Sequence, residues 1–129
     1  MIGLPRVLVV DDSPVLRKLL VDAISRHGDE VVGEAATSEE ALRLFRKHKP
    51  DIVIKDLFMP DDDGVSTIKK MVAIHKKSKI IVCSTFEQKA MIISALRAGA
   101  HDFIIKPIKE RQVWRVIENV LACINEKKK

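Results

Sequence analysis

Five polar residues stand at the ends of short aliphatic runs, and their types suit phosphoryl transfer. The adjacent carboxylates Asp11 and Asp12 follow the first run, and Asp56, Ser84 and Lys106 end three others. Carboxylates held close together repel one another unless they are protonated or hold a cation, and Mg²⁺ prefers such oxygen ligands. Beside Mg²⁺ the Asp56 carboxylate can attack phosphorus, while Lys106 and Ser84 can contact phosphoryl oxygens.

These residues meet only if the aliphatic runs are strands of one sheet. The runs have the near-continuous Val, Ile and Leu character of strands covered on both faces, and segments of helical period separate them. The predicted strands are Arg6–Val10, Glu30–Glu34, Asp51–Ile54, Lys79–Cys83 and Asp102–Ile105. The predicted helices begin after Ser13, at Thr37, after Gly64, at about Glu87 (ending at Ala98) and before Val113.

Strict alternation of strands and helices predicts an α/β fold with a parallel sheet between helices. Right-handed crossovers favour a doubly wound (βα)5 sheet with strand order 2-1-3-4-5, the flavodoxin-like arrangement. In such a sheet ligands bind beyond the carboxyl ends of the strands, near the point where the strand order reverses. We therefore expect the five polar residues to form one site.

The length and composition bound the class of protein. A chain of 129 residues predicts a single domain, residues 1–129, that needs no disulfide to fold. No aliphatic run could span a bilayer and no signal peptide is visible, so we expect a cytoplasmic protein without membrane insertion. The net charge of +5 does not indicate nucleic-acid binding, because the basic residues are scattered and no aromatic residues are interleaved with them.

Other chemistries find little support in the sequence. The acidic run Asp61–Asp63 reads as a hydrated loop rather than a set of metal ligands. The glycines form no phosphate-binding loop, which opposes a nucleotide or flavin site. The four histidines are isolated, and no Ser or Cys has a nearby base that would indicate a hydrolase.

The motifs around the five residues closely resemble the receiver domain of two-component response regulators. The matching segments are Leu8–Ser13, Pro50–Pro60, Asp63-Gly64, Ser84 and Lys106-Pro107. A narrower resemblance, to the stand-alone chemotaxis regulators, rests on Ile81–Ser84, Gln88, Ala90–Ile93 and Ala98–Pro107.

This resemblance implies a role for each site residue. Asp56 would accept a phosphoryl group from a phosphohistidine on a sensor histidine kinase. Asp12 would bind Mg²⁺ directly and Asp11 largely through water, with Asp56 and the backbone carbonyl of Phe58 as the remaining ligands. Lys106 would pair with the phosphoryl group, next to a cis peptide to Pro107.

The resemblance also implies an output mechanism. Ser84 and Phe103 would form a conformational switch that moves the surface made by the fourth helix, fifth strand and fifth helix. On that surface the apolar run Ala90–Ile93 exceeds one core-facing stripe, so one of its residues should face outward, and the resemblance selects Ile92. Trp114 lies beside the core stripe of the last helix, either as a partner contact or as a lid over the core.

Three residues depart from the family pattern. Lys55 stands where an apolar residue is usual, and we expect it to extend to solvent at the edge of the sheet. Thr85 stands where alanine is common, beside Ser84. Phe103 replaces the tyrosine of many members, which removes any hydroxyl signal from the switch.

The function expected from the sequence is that of a signalling protein, not an enzyme beyond its own phosphorylation and dephosphorylation. The most specific expectation is a chemotaxis signal carried to a flagellar motor switch protein. Two alternatives stay open: a receiver cut from a larger regulator with a DNA-binding or enzymatic output domain, and a stand-alone phosphorelay intermediate.

Overall fold

The protein, seen in a computed structural model, is a parallel sheet covered by helices on both faces. The structure describes the backbone of residues 4–127 and the side chains of residues 4–124, so residues 1–3, 128 and 129 of the expected domain lie outside it. The strands are β1 (Arg6–Val10), β2 (Glu30–Ala35), β3 (Ile52–Asp56), β4 (Lys79–Ser84) and β5 (Asp102–Ile105). The helices are α1 (Pro14–His27), α2 (Ser38–His48), α3 (Val65–Ile74), α4 (Lys89–Ala98) and α5 (Glu110–Lys127).

The sheet confirms the predicted topology. Its order is β2-β1-β3-β4-β5 with every pair parallel. The register sets Val10 beside Lys55, Asp56 beside Cys83 and Ser84 beside Ile105. The carboxyl ends of β1, β3, β4 and β5 therefore meet at one edge of the sheet.

Alternation along the strands divides the core into two clusters. Leu8, Val10 and Val53 face α2, α3 and α4. Val7, Val9 and Ile52 face α1 and α5. Both faces of the central strands are thus buried, which explains why these strands lack the polar alternation of a half-exposed sheet.

Local sequence signals fix the elements that carry the edge residues. Ser13 caps α1 by accepting a hydrogen bond from the Leu16 amide at 3.3 Å, with Pro14 in the first helical position. Gly64 precedes α3 with a φ of 81°, and a Cβ there would lie 2.1 Å from the Leu57 carbonyl oxygen. Only glycine fits that close turn, so the loop between β3 and α3 folds back on itself.

The fourth helix begins later than predicted. A 3₁₀ turn, Phe86–Gln88, precedes α4, and the side chain of Gln88 folds back to accept a hydrogen bond from the Thr85 amide at 3.4 Å. The spacing of Thr85 and Gln88 is that of a capping box, which closes the turn before the helix proper starts.

The two cysteines lie in different surroundings, and neither is paired. Cys83 is fully buried in β4, and burial raises the pKa of its thiol to about 12. Cys123 is half-buried on α5.

None of the helices within residues 4–127 combines the length and the apolar character needed to cross a membrane.

Candidate functional site

Three carboxylates meet at the edge of the sheet. Asp11 follows β1, Asp12 is next to it and Asp56 is the last residue of the neighbouring strand β3. One carboxylate oxygen from each lies within 4.8 Å of the others. Asp11 and Asp56 are buried, whereas Asp12 is exposed, so the cluster is open to solvent on one side. We call Asp11, Asp12 and Asp56 the edge cluster.

Asp11 supplies the observation that tests the cluster for a cation. Its Oδ1 accepts a hydrogen bond from the Ser13 amide at 2.8 Å, but its buried Oδ2 has no hydrogen-bond partner among the described residues. Burial, assisted by the charge of Asp56, raises the pKa of this carboxyl group. An unpartnered buried oxygen is costly, and a hard cation would both satisfy it and relieve the repulsion. The donor set therefore fits Mg²⁺.

Two donors hold the Asp56 side chain. The Lys106 ammonium, beyond the end of β5, lies 3.1 Å from Asp56 Oδ1, and the Phe58 amide donates to the same oxygen at 3.3 Å. Lys106 is itself anchored by its amide, which donates to the Ser84 carbonyl at 2.8 Å, and its peptide bond to Pro107 is cis. The charge of Lys106 thus stands directly beside the carboxylate.

Ser84 and Phe103 occupy different environments. The Ser84 side chain is buried at the end of β4, and its hydroxyl donates to Gln88 Oε1. The Phe103 ring is 41 % exposed on β5. Gln88 stands three residues after Thr85, the spacing of a capping box, and this spacing is the sequence signal for a side chain that turns back over the end of β4.

The expectation for Lys55 is wrong. Its side chain is fully buried, with Nζ donating to the Asp56 backbone carbonyl at 2.9 Å. Lys55 lies on the same face of β3 as Val53 and Leu57, which both belong to the core beneath α2, α3 and α4. A central strand covered on both faces has no solvent beside it at this position. Burial lowers the pKa of Lys55, opposed by the charges of Asp62, Asp56 and Asp61.

The acidic run after β3 belongs to the loop and not to the edge cluster. Asp61 accepts hydrogen bonds from the amides of Ser38 at 2.9 Å and Glu39 at 3.3 Å, at the start of α2. Asp62 accepts from the Thr67 hydroxyl, and Asp63 accepts from the Ser66 amide at 2.8 Å. As expected, the run is a solvent-exposed loop that provides no ligand to the edge cluster, since Asp61 and Asp63 are exposed. Its hydrogen bonds also connect it to the starts of α2 and α3.

The expectation for Ile92 is wrong, whereas Trp114 takes one of its two predicted placements. Ile92 is 5 % exposed and packs in the core with Ala95, while Ile93 is 41 % exposed. A step of one residue turns a helix by about 100°, so the choice within an apolar run decides which side faces solvent. Trp114 donates from its indole to the Ala23 carbonyl at 2.8 Å, so it covers α1 and takes the lid alternative.

Comparison with known proteins gives a consistent family. The model of the response regulator receiver domain matches residues 7–118. A chemotaxis protein CheY of Thermotoga maritima is 44% identical over 115 residues, 89% of this chain and 96% of that protein. The CheY of Bacillus subtilis is 38% identical over 90% of this chain and 97% of its own length.

Longer proteins and solved structures also match. A protein-glutamate methylesterase/protein-glutamine glutaminase of a Nocardioides species is 41% identical over 92% of this chain but only 33% of that protein. The REC domain of AraT, a response regulator from Geobacillus stearothermophilus, superposes with a TM-score of 0.89 at 27% identity, covering 98% of this chain and all of that domain.

Proposed function

The chain belongs to the response regulator receiver family, and we propose that it is a Mg²⁺-dependent phosphoacceptor whose acceptor is Asp56. The position of Asp56 carries this proposal. Its carboxylate is 5 % exposed, lies 3.1 Å from the Lys106 ammonium and shares the edge with Asp11 and Asp12. A nucleophile, a fixed positive charge and an oxygen donor set are thus within reach of one transferred group.

In the proposed reaction an oxygen of Asp56 attacks the phosphorus of a phosphohistidine on a sensor kinase. The new oxygen–phosphorus bond forms as the phosphorus–nitrogen bond breaks, and the departing imidazole takes up a proton. Lys106 and the Ser84 hydroxyl contact the phosphoryl oxygens, and the Phe58 amide keeps the carboxylate directed at them. Bound Mg²⁺ would supply charge neutralisation there, held by Asp11, Asp12, Asp56 and the Phe58 carbonyl.

Labelling with a small phosphodonor tests the acceptor. Incubation with acetyl phosphate and Mg²⁺ is expected to add one phosphoryl group, measured by intact mass, and Asp56→Asn is expected to abolish the addition because it removes the nucleophile. Asp63→Asn, which alters an exposed carboxylate of the next loop, serves as the matched control and should label like the parent. Equal labelling of Asp56→Asn and the parent contradicts the proposal.

We further propose that Ser84 and Phe103 convert phosphorylation into a change of surface. Phosphoryl oxygens on Asp56 would compete with Gln88 for the Ser84 hydroxyl, releasing the turn that precedes α4. Phe103 would then move from its half-exposed position into the space that Ser84 leaves. To move the two-state population from 1:99 to 99:1, phosphorylation must favour the active state by about 5.5 kcal/mol.

Ser84→Ala tests this coupling. The variant should still be phosphorylated, but the Phe103 ring and the α4 amides should keep the environment of the unphosphorylated parent, as followed by NMR. Ser94→Ala removes a hydroxyl from the exposed side of α4 and should leave the response intact. A full response in Ser84→Ala would exclude Ser84 from the switch.

The output surface would consist of α4, β5 and α5, with Ile93 and Phe103 as its exposed apolar residues. Two relatives named chemotaxis protein CheY match this chain over nearly their whole length, which supports a chemotaxis role. We propose that the protein acts in the cytoplasm and that its partner is a flagellar motor switch protein. The methylesterase relative, only a third of which matches, supports the alternative of a receiver attached to an output domain. The chemotaxis role predicts that the phosphorylated parent binds a purified motor switch protein and that Ile93→Asp loses this binding with phosphorylation unchanged. A parent that does not bind would favour the receiver attached to an output domain.

A further inference from the structure

Lys55 is a fully buried lysine that the proposed reaction does not use. It precedes Asp56 on β3, and its stem lies between the core residues Val53 and Leu57 on the face covered by α2, α3 and α4. Its ammonium has three hydrogens to place and donates one to the Asp56 carbonyl at 2.9 Å. A buried ammonium persists only where protein groups replace the water it has lost.

Beyond the Asp56 carbonyl, the loop that leaves Asp56, residues 57–64, contributes negative charge around this ammonium. Asp62 has the largest favourable charge effect on Lys55, and Asp61 contributes from the same loop. Although partial burial opposes its charge, Thr67 and Lys55 hold the pKa of Asp62 below its ordinary value. We call Lys55, Asp61, Asp62 and Thr67 the loop cluster.

The loop cluster ties three elements to the end of β3. Asp62 connects the loop to α3 through Thr67, and Asp61 connects it to α2 through the Ser38 amide at 2.9 Å. A recess of about 300 Å³ opens between these helices. The positive charge of the buried Lys55 ammonium attracts the carboxylates of Asp61 and Asp62.

The same loop carries Phe58. Its amide lies 3.3 Å from Asp56 Oδ1, and the preceding Leu57 amide donates to the Cys83 carbonyl at 2.9 Å. Displacement of residues 61 and 62 would therefore act on the Phe58 peptide and on the direction of the Asp56 carboxylate. We propose that Lys55 is a positioning residue for phosphoryl transfer: its buried ammonium holds the loop after β3 against the sheet and thereby orients Asp56 and the Phe58 carbonyl. This role rests on the proposed function of Asp56.

Two other roles give different results on removal of the ammonium. If Lys55 acted only through its charge, its loss would strengthen Mg²⁺ binding, because a nearby cation repels another. If it only filled space, an apolar side chain of similar length would leave Mg²⁺ affinity unchanged. Positioning alone predicts weaker binding, since the ligands lose their alignment although a repulsive charge has gone.

Lys55→Met distinguishes these roles. Methionine keeps most of the length and removes the cost of burying an ammonium, while Asp61 and Asp62 remain accessible to water, so the denaturation midpoint should stay close to that of the parent. Mg²⁺ affinity, measured by titration of the amide resonances around Asp11 and Asp12, should fall about tenfold, as for other groups that orient metal ligands. Lys70→Met is the matched control, because Lys70 is an exposed lysine lining the same recess. It should bind Mg²⁺ like the parent.

Hydrogen exchange in Mg²⁺-free protein provides a readout that does not depend on phosphorylation. The Ser38 amide, held by Asp61, and the Asp62 amide, which donates to the Met59 carbonyl at 3.2 Å, should exchange faster in Lys55→Met than in the parent. If Lys55→Met does not fold, Lys55→Gln, which keeps an N–H donor without the charge, takes its place with the same expectations.

Weaker Mg²⁺ binding together with faster exchange supports the positioning role, and any other combination overturns it. A parent protein that neither binds Mg²⁺ nor accepts a phosphoryl group would refute the proposed function instead. In that case the exchange of the Ser38 and Asp62 amides alone decides whether Lys55 holds the loop.

Discussion

Two groups of carboxylates flank the end of β3, and they differ in where their positive charge comes from. The loop cluster contains its own cation, Lys55, which is buried beneath Asp61 and Asp62. The edge cluster has Lys106 on one side of Asp56, yet Asp11 keeps a buried oxygen without a partner among the described residues. In the loop cluster one ammonium thus stands against two carboxylates, whereas in the edge cluster the Lys106 ammonium stands against three.

The difference shows how a single strand end can serve both structure and chemistry. Because the Lys55 ammonium is part of the chain, the charge balance of the loop does not depend on a bound ion. An uncompensated carboxylate group instead lets stability respond to a ligand, because whatever binds the folded state alone also stabilises it. The following predictions test whether the two groups behave as differently as their contacts indicate.

The largest expected effect concerns the edge cluster and Mg²⁺. At a Mg²⁺ concentration of 100 times its Kd, the free energy of unfolding of the parent should rise by about 2.7 kcal/mol. Asp12→Ala should lose most of this gain and, without Mg²⁺, should be at least as stable as the parent, because it removes a repulsive charge. Urea denaturation with and without Mg²⁺ measures both quantities.

A control variant separates a local site from general charge. Glu87→Ala removes an exposed carboxylate from the 3₁₀ turn and should keep the full Mg²⁺ gain. If Asp12→Ala gained as much as the parent, the cation would have to bind away from the edge cluster.

A smaller effect is expected from the loop cluster, without dependence on Mg²⁺. Asp62→Asn keeps the shape of the side chain but removes the negative charge that most favours the Lys55 ammonium. The free energy of unfolding should therefore fall by about 1–3 kcal/mol. Asp63→Asn, in the adjacent exposed position, is the control. Equal losses in the two variants would mean that Lys55 does not depend on Asp62.

The smallest effect comes from a third charged group, which is centred on His27. His27 lies 2.7 Å from Asp29 and 3.2 Å from Glu118. Although burial opposes the charge, hydrogen bonds to these carboxylates raise the pKa of His27 above 6.5. Its stabilising contribution should be fully present below pH 6.5 and should be lost as the pH rises through the raised value.

Denaturation across this pH range should show a loss of at most about 1 kcal/mol, because one of the two partners is exposed. His27→Gln should remove the pH-dependent part. An unchanged slope in that variant would assign the effect to another group.

The sequence predicted the fold and the edge cluster because both follow from period and position. Continuous aliphatic runs identified buried strands, and the parallel topology brought their carboxyl ends together, so Asp11, Asp12, Asp56, Ser84 and Lys106 could be placed without coordinates. Lys55 could not, because its neighbours in sequence gave no sign that a loop would return carboxylates over it. Only the positive φ of Gly64 and the bonds of Asp61 and Asp62 show that return.

The prediction for the output surface was wrong at Ile92, and the reason is different. In a run of four apolar residues, helical periodicity does not decide which of two adjacent residues faces solvent. The resemblance selected Ile92, whereas Ile93 is the exposed one. Trp114 was ambiguous in sequence because an indole both packs and donates, and its bond to the Ala23 carbonyl depends on how α1 and α5 cross.

Asp56 pairs with Cys83 across β3 and β4, so the reactivity of the Cys83 thiol reports on the opening of this part of the sheet. The Cys83 thiol is fully buried and its pKa is about 12, so almost no thiolate exists for an alkylating reagent to meet in the folded protein. Its modification must wait for the sheet to open, whereas the half-buried Cys123 lies outside the sheet. The rate at which Cys83 is modified therefore measures how often β4 separates from β3, the strand that ends at Asp56.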